Sequence, residues 1–419
     1  MIIKRDFYLN RLISHKHNGR IKIITGVRRC GKSYLLFNLF KQYLIDQGVK
    51  DDHILEIAFD DRRNKKYRNP DKCFEYIEAT IDKSSLDYYY ILLDEVQLMK
   101  EFSDVLNGFL HIPNVDVYVT GSNSKFLSKD VVTEFRGRGD EVKMYPLSFA
   151  EFYSVYGHDF EDAWNQYYTY GGLPYILSLE EPTEKVNYLQ NLFDETYIKD
   201  IIERNNIRND RELKVLIDII ASAVGSLVNP QRLSDTFKSA GKTEISAPTI
   251  KRYLDYLQDA FIITSAQRYD VKGKRYISTP MKYYFEDIGL RNARLNFRQQ
   301  EETHIMENIL FNELRYRGYV VDVGLVEFRE KGKSEKYYKK QLEIDFIANQ
   351  GSKRYYIQSA FHLLSAEKKI QEERPLLNLA DSFKKIIVVK DNIMIKRDEK
   401  GIVTMGIKDF LLNPNSLDF

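Results

Sequence analysis

The chain has 419 residues, enough for two or three domains with separate cores. Apolar residues make up 43% and charged residues 30%, which excludes a disordered chain, and no apolar run reaches the roughly eighteen residues that a membrane span needs. Lys and Arg outnumber Asp and Glu by only 63 to 61, so any nucleic-acid reading has to rest on local charge.

The start, Met1-Ile2-Ile3-Lys4-Arg5-Asp6, lacks a secretory apolar segment. With only Cys30 and Cys73 in the chain and no Cys/His cluster of zinc spacing, this predicts a cytoplasmic protein without disulfides. Residues 1–20 are expected to form a helix with a basic end. The β-rich run Ile21-Lys22-Ile23-Ile24-Thr25 then enters Gly26-Val27-Arg28-Arg29-Cys30-Gly31-Lys32-Ser33-Tyr34, and an apolar-periodic helix with Leu35, Leu36, Leu39, Phe40 and Leu44 leaves it. Strand, glycine-bounded loop and helix at this spacing are a phosphate-binding P-loop: its glycines turn backbone N–H groups inward at the positive end of a helix. Lys32 is expected on the β- and γ-phosphates of ATP, and Ser33 on Mg2+.

His53 to Phe59 alternates with period two and reads as the second strand, and 70–83 as a helix. Tyr88-Tyr89-Tyr90-Ile91-Leu92-Leu93 reads as a strand buried in a parallel sheet, and it ends in Asp94-Glu95. Because strand C-termini face the ligand crevice in such sheets, Asp94 is expected in the Mg2+ shell and Glu95 as the base that deprotonates the attacking water. Val115 to Thr120 is a further strand, with Asn123 and Ser122 after it as candidates to touch the γ-phosphate. A short helix over 125–135 leads to Arg136-Gly137-Arg138-Gly139, ahead of a fifth strand, Glu141 to Tyr145. Arg136 or Arg138 would face away from its own site and stabilise charge at a neighbouring subunit's nucleotide.

Through GVRRCGKS, YILLDEVQ, VTGSNS, FRGRG and YPLSFAEF the chain resembles the AAA+ superfamily of ATPases, in the group whose ATPase module precedes a domain of unknown function. The resemblance implies a five-stranded parallel α/β core, Mg-ATP, a polar sensor residue and an arginine finger completing the site between the subunits of a homo-oligomer.

After an ATPase core over 1–147, the aromatic helical pattern of 148–205 reads as a lid, broken at Gly171-Gly172-Leu173-Pro174. A helix over 206–226 opens a segment, 206–295, whose helix, turn, helix and hairpin follow the plan of a winged helix-turn-helix. Between 242 and 282 eight Lys/Arg face four Asp/Glu, a local net of +4 that suits phosphate contacts, with Lys251 and Arg252 on the reading helix. The last segment, 296–419, resembles the restriction-endonuclease-like α/β fold: a helix with Glu307, a basic loop from Arg329 to Lys340, and strands Leu342–Ile347 and Arg354–Gln358. That fold's helix glutamate, strand aspartate and Glu-x-Lys would fall on Glu307, Asp345 and Gln358-Ser359-Ala360, so the charge and the lysine of the last pair are missing and an inactive module is expected.

These readings converge on an Mg2+-dependent ATPase that remodels DNA or protein, the winged helix and basic loop being the surfaces DNA would use. A slow nucleotide-gated switch is the alternative, and a nuclease ranks last.

Overall fold

The computed structural model describes residues 2–83, 85–121, 137–239, 245–298, 301–331, 337–363 and 365–419. The expected helix over 125–135, together with Ser122, Asn123 and Arg136, lies outside them. Two compact units form, Met1–Pro146 with Asp259–Phe261, and Leu147–Gln258 with Ile262–Phe419.

In the first unit, β1 (Ile21–Gly26), β2 (Ile54–Ala58), β3 (Tyr89–Asp94), β4 (Val115–Thr120) and β5 (Gly139–Met144) make a five-stranded sheet in the order β2-β3-β4-β1-β5. All its pairings are parallel. A strand covered on both faces reads as a continuous apolar run, and β1 and β3 are buried at every position. Lys22 interrupts the run of β1 and is fully buried; it pairs with Asp116 of β4, which also accepts from the Tyr118 hydroxyl at 2.9 Å. This ion pair ties β1 to β4 at the end of the sheet remote from the strand C-termini.

Helices are shorter than the sequence pattern suggests. The first runs only from Asp6 to Ser14, because the chain turns at His17, in the left-handed region at φ 56° with its ring stacked 3.9 Å from that of Tyr88. The expected helix over 70–83 is Pro70–Thr80, started by Asn69, whose side chain accepts from the Lys72 amide at 3.0 Å. That over 206–226 is Asp210–Ser222.

The second unit is built on a mixed sheet of nine strands: β6 (Leu227–Val228), β7 (Ile263–Asp270), β8 (Arg275–Phe285), β9 (Val320–Lys331), β10 (Tyr337–Gln350), β11 (Lys353–Ala360), β12 (Lys384–Val389), β13 (Lys396–Arg397) and β14 (Ile402–Gly406). Their order is β13-β14-β12-β11-β10-β9-β7-β8-β6. The sheet has no break near residue 296, since β7 of the expected wing hairpin pairs in parallel with β9. Helix Glu302–Tyr316 covers one face, with Phe311 stacked 4.1 Å from Tyr284. Helix Ala366–Leu377 covers the other, Leu376 packing with Ile344 and Tyr356. The expected basic loop from Arg329 to Lys340 is corrected: its described residues extend β9 and β10 into one long antiparallel hairpin, with Lys339 opposite Arg329 and Lys340 opposite Phe328. Charges along it are matched across strands and from the helix, Lys340 and Arg374 both meeting Glu330.

Among the described residues no helix is long and apolar enough to cross a membrane.

Candidate functional site

The site begins where β1 ends. Gly26 sits at φ 133°, and a Cβ there would come within 1.9 Å of the Met144 carbonyl oxygen of β5, so only glycine allows the strand to close on its neighbour. The turn that follows needs two more residues in the left-handed region, Arg29 at φ 65° and Gly31 at φ 99°. Such alternation of backbone sense curls N–H groups into an anion-binding concavity. Beyond it Lys32–Tyr34, Leu35–Phe40 and Lys41–Asp46 form one continuous helix, the middle segment wound wider with i to i+5 bonding. Val27 and Cys30 are buried, Arg28 and Tyr34 half-buried, and Arg29 and Ser33 exposed. Burial pushes the Cys30 thiol up, despite Lys32 and Arg5 nearby, so it is a packing residue with no thiolate character.

Lys32 is 5% exposed and folds back along the loop, donating to the carbonyls of Gly26 at 3.1 Å and Val27 at 3.0 Å. Arg5 supports the turn from below, donating to the carbonyls of Cys30 at 3.1 Å and Tyr145 at 2.7 Å. Its role was not legible in sequence, because it lies 25 residues from Cys30 and 140 from Tyr145.

The register of the sheet brings the ends of β1, β3 and β4 side by side, with Leu93 opposite Val119 and Ile24 opposite Thr120. Ser33 therefore meets Asp94, its hydroxyl 2.9 and 2.8 Å from the two carboxylate oxygens. Asp94 is 4% exposed, and burial raises its pKa while hydrogen bonds from Thr120 and Ser33 pull it back. Among the described residues no cationic side chain pairs with Asp94; its carboxylate is met by hydroxyls alone. A buried carboxylate without a counter-charge, beside an exposed serine hydroxyl, is a donor set that fits a hard divalent cation.

Glu95 follows directly, in the left-handed region at φ 53°. Its backbone N–H donates to the Thr120 hydroxyl at 3.1 Å, and its carboxylate accepts from the Gln97 amide. Thr120 thus bonds to both acidic residues at once, donating to Asp94 and accepting from Glu95.

Comparison with known proteins gives this geometry a family. Residues 18–153 match the AAA domain, and residues 161–301 match a domain of unknown function (DUF8612). An uncharacterized protein of Haemophilus influenzae is 34% identical over 416 residues, covering 98% of this chain and 99% of that one. The chain belongs to the AAA family, its AAA domain followed by that domain of unknown function. An uncharacterized protein of Methanocaldococcus jannaschii is 27% identical over 385 residues, 88% of this chain and 79% of its own. Among solved structures, a Walker-type ATPase of Pyrococcus abyssi aligns at 15% identity and a TM-score of 0.48, over 70% of this chain and 96% of its own.

Of the other residues expected in the site of this AAA protein, Arg138 is the one among the described residues, and it lies apart from this cluster. Arg138 is exposed and stands just before β5, its carbonyl accepting from the Ile21 amide at 2.9 Å. It therefore sits where β1 and β5 begin, a strand's length of about 20 Å from the loop where they end.

In the second unit, Glu307 and Asp345 do come together, but with a partner the sequence reading missed. Lys282 of β8 lies 2.9 Å from Glu307 and 2.7 Å from Glu343. No sequence signal marks it, since it precedes Glu307 by 25 residues on an element expected in a different module. Gln358 points to the other face, where its amide donates to Glu372 at 3.1 Å and its carbonyl accepts from the Asp345 amide at 3.3 Å.

Proposed function

We propose that this AAA protein binds Mg-ATP at the Gly26–Tyr34 loop and hydrolyses it, working as a homo-oligomer that remodels DNA or a protein. The observation that carries the reading is the Ser33–Asp94 contact at the mouth of the loop, with Glu95 next in the chain. Ser33 and Asp94 would hold Mg2+, which neutralises charge on the phosphate oxygens as the terminal bond breaks. Lys32 would release the carbonyls of Gly26 and Val27 to meet the phosphates. Glu95 would take the proton of the attacking water, positioned by the Thr120 hydroxyl through its backbone N–H. Asn123, or Ser122, is proposed at the γ-phosphate, and Arg136 or Arg138 as the finger given to a neighbouring subunit.

For the second unit we propose a helical lid over 148–205, a winged helix over 206–295 and a non-cleaving restriction-endonuclease-like module over 296–419. Support for the winged helix is the succession of helices Pro230–Ser239 and Ala247–Asp259 and the β7–β8 hairpin, with Lys251, Arg252, Lys272, Lys274 and Arg275 exposed toward solvent, as phosphate contacts to DNA require.

The test is Glu95→Gln, expected to keep ATP binding by titration while lowering turnover by at least about a hundredfold, the usual contribution of a positioned base. Hydrolysis at the parent's rate would remove Glu95 from this role. A second reading, a slow nucleotide-gated switch, draws on the Gln97 amide bonded to the Glu95 carboxylate, which keeps the base engaged. Duplex DNA should accelerate a remodelling motor and leave the turnover of a switch unchanged.

A further inference from the structure

In the second unit a buried cluster of charges gathers around Lys282. Its side chain is 3% exposed and bridges Glu307, 8% exposed, and Glu343, 35% exposed. The Tyr284 hydroxyl donates to the same Glu307 oxygen at 2.7 Å. Three elements far apart in sequence are thereby joined: β8 supplies Lys282 and Tyr284, helix Glu302–Tyr316 supplies Glu307, and β10 supplies Glu343. Asp345 stands two residues beyond Glu343, where the β9–β10 ladder slips between Ile344 and Ile347, and its carboxylate accepts from the Ser359 amide at 2.8 Å.

An ammonium taken out of water is stable only if carboxylates surround it, and carboxylates so placed need a cation in turn. Burial lowers the pKa of Lys282, but Glu307, Asp345 and Glu343 outweigh it and raise the group above its ordinary value, so it stays charged. Burial, with Glu307 and Glu343 adding to it, lifts Asp345 well above the carboxylate range against the opposing pull of Lys282.

We propose that the Lys282 ammonium is the resident cation of this acidic centre, occupying between Glu307 and Glu343 the place a divalent metal would take. The centre is then complete without metal and activates no water for phosphodiester cleavage. The inference rests on the second unit alone and stands or falls independently of the ATPase reading.

The test is Mn2+ binding, followed by electron paramagnetic resonance on the nucleotide-free full chain carrying Asp94→Asn, so that the loop of the first unit contributes no signal. That protein should bind no stoichiometric Mn2+. Adding Lys282→Met should create one Mn2+ site per chain, and adding Asp345→Asn or Glu307→Gln to that should abolish it. A Mn2+ already bound with Lys282 in place and lost with Asp345→Asn would overturn the proposal, as would a folded Lys282→Met protein that takes up no metal. Should Lys282→Met be too unstable to titrate, thermal unfolding decides: Glu307→Gln destabilises the parent but should raise the midpoint of Lys282→Met by several degrees, because it removes the charge left unpaired. Additive losses in the double variant would sink the idea.

Discussion

Thr120 places one hydroxyl between the two acidic residues that end β3, donating to Asp94 and accepting from the backbone N–H of Glu95. Thr120→Val keeps the shape and removes both bonds, leaving a half-buried N–H and a buried carboxylate each short of a partner. Unmet groups of this kind cost about 1–3 kcal/mol apiece. Part of that cost falls on the position of Glu95, so turnover should drop about tenfold while ATP affinity stays within about twofold, and Thr120→Ser should recover most of the loss. Steady-state kinetics alongside ATP titration check this; a valine variant with parental turnover would mean that Glu95 does not depend on Thr120. Sequence reasoning pointed past this residue, to Ser122 and Asn123, because Thr120 reads as the last apolar-strand position. Its part comes from the register that sets β4 beside β3, a long-range fact that no local spacing carries. Gly26, Lys32, Ser33 and Asp94 were legible for the opposite reason: the loop's turn and the buried run before Asp94 are each written in contiguous residues.

At the level of elements, a buried aspartate fastens the break after helix Phe160–Tyr170 to the start of helix Ile288–Arg294. Asp287 accepts from the Gly172 amide at 2.7 Å and from the Leu290 amide at 3.0 Å, capping the second helix while holding the turn of the first. The approach is close enough that a Cβ on Gly289 would lie 2.0 Å from the Tyr170 carbonyl oxygen. Burial raises Asp287 from the ordinary 3.8 to about 6. A carboxyl whose folded pKa lies above its unfolded one adds stability that is full below about pH 4 and is lost as the pH rises through about 6, at most about 3 kcal/mol over that span. The stability difference between the parent and Asp287→Asn should therefore widen in the parent's favour as the pH falls from 7 to 4.5, measured by denaturant unfolding at each pH. A constant difference would show that Asp287 titrates normally. The sequence marked Gly171-Gly172 as a break but gave no sign of its partner 115 residues away. The extended β9–β10 hairpin escaped for another reason, since lysines on both faces hide the period of two that marks a strand.

At the scale of the whole molecule the open matter is whether one chain completes its own site. Arg138 is exposed at the start of β5, while the P-loop lies where β1 and β5 end, so on its own sheet it is turned away from the phosphates. If it is the proposed finger, it would act from a neighbouring subunit, and this can be tested without knowing the ring size. On the proposed roles, Arg138→Ala chains would keep the Glu95 base and lack the finger, whereas Glu95→Gln chains would keep the finger and lack the base. Each alone should be inactive. In a random one-to-one assembly, a site has both parts when an Arg138→Ala chain sits beside a Glu95→Gln chain in the right order, which happens at about a quarter of the sites. Mixing the two inactive proteins should then return about a quarter of parental ATPase activity, provided that subunits exchange or are co-expressed. Recovery at that level requires a shared site. If Arg138→Ala alone hydrolyses normally, Arg136 takes its place in the same mixing experiment, and if neither pairing recovers activity, each chain works on its own nucleotide and the trans arginine is wrong.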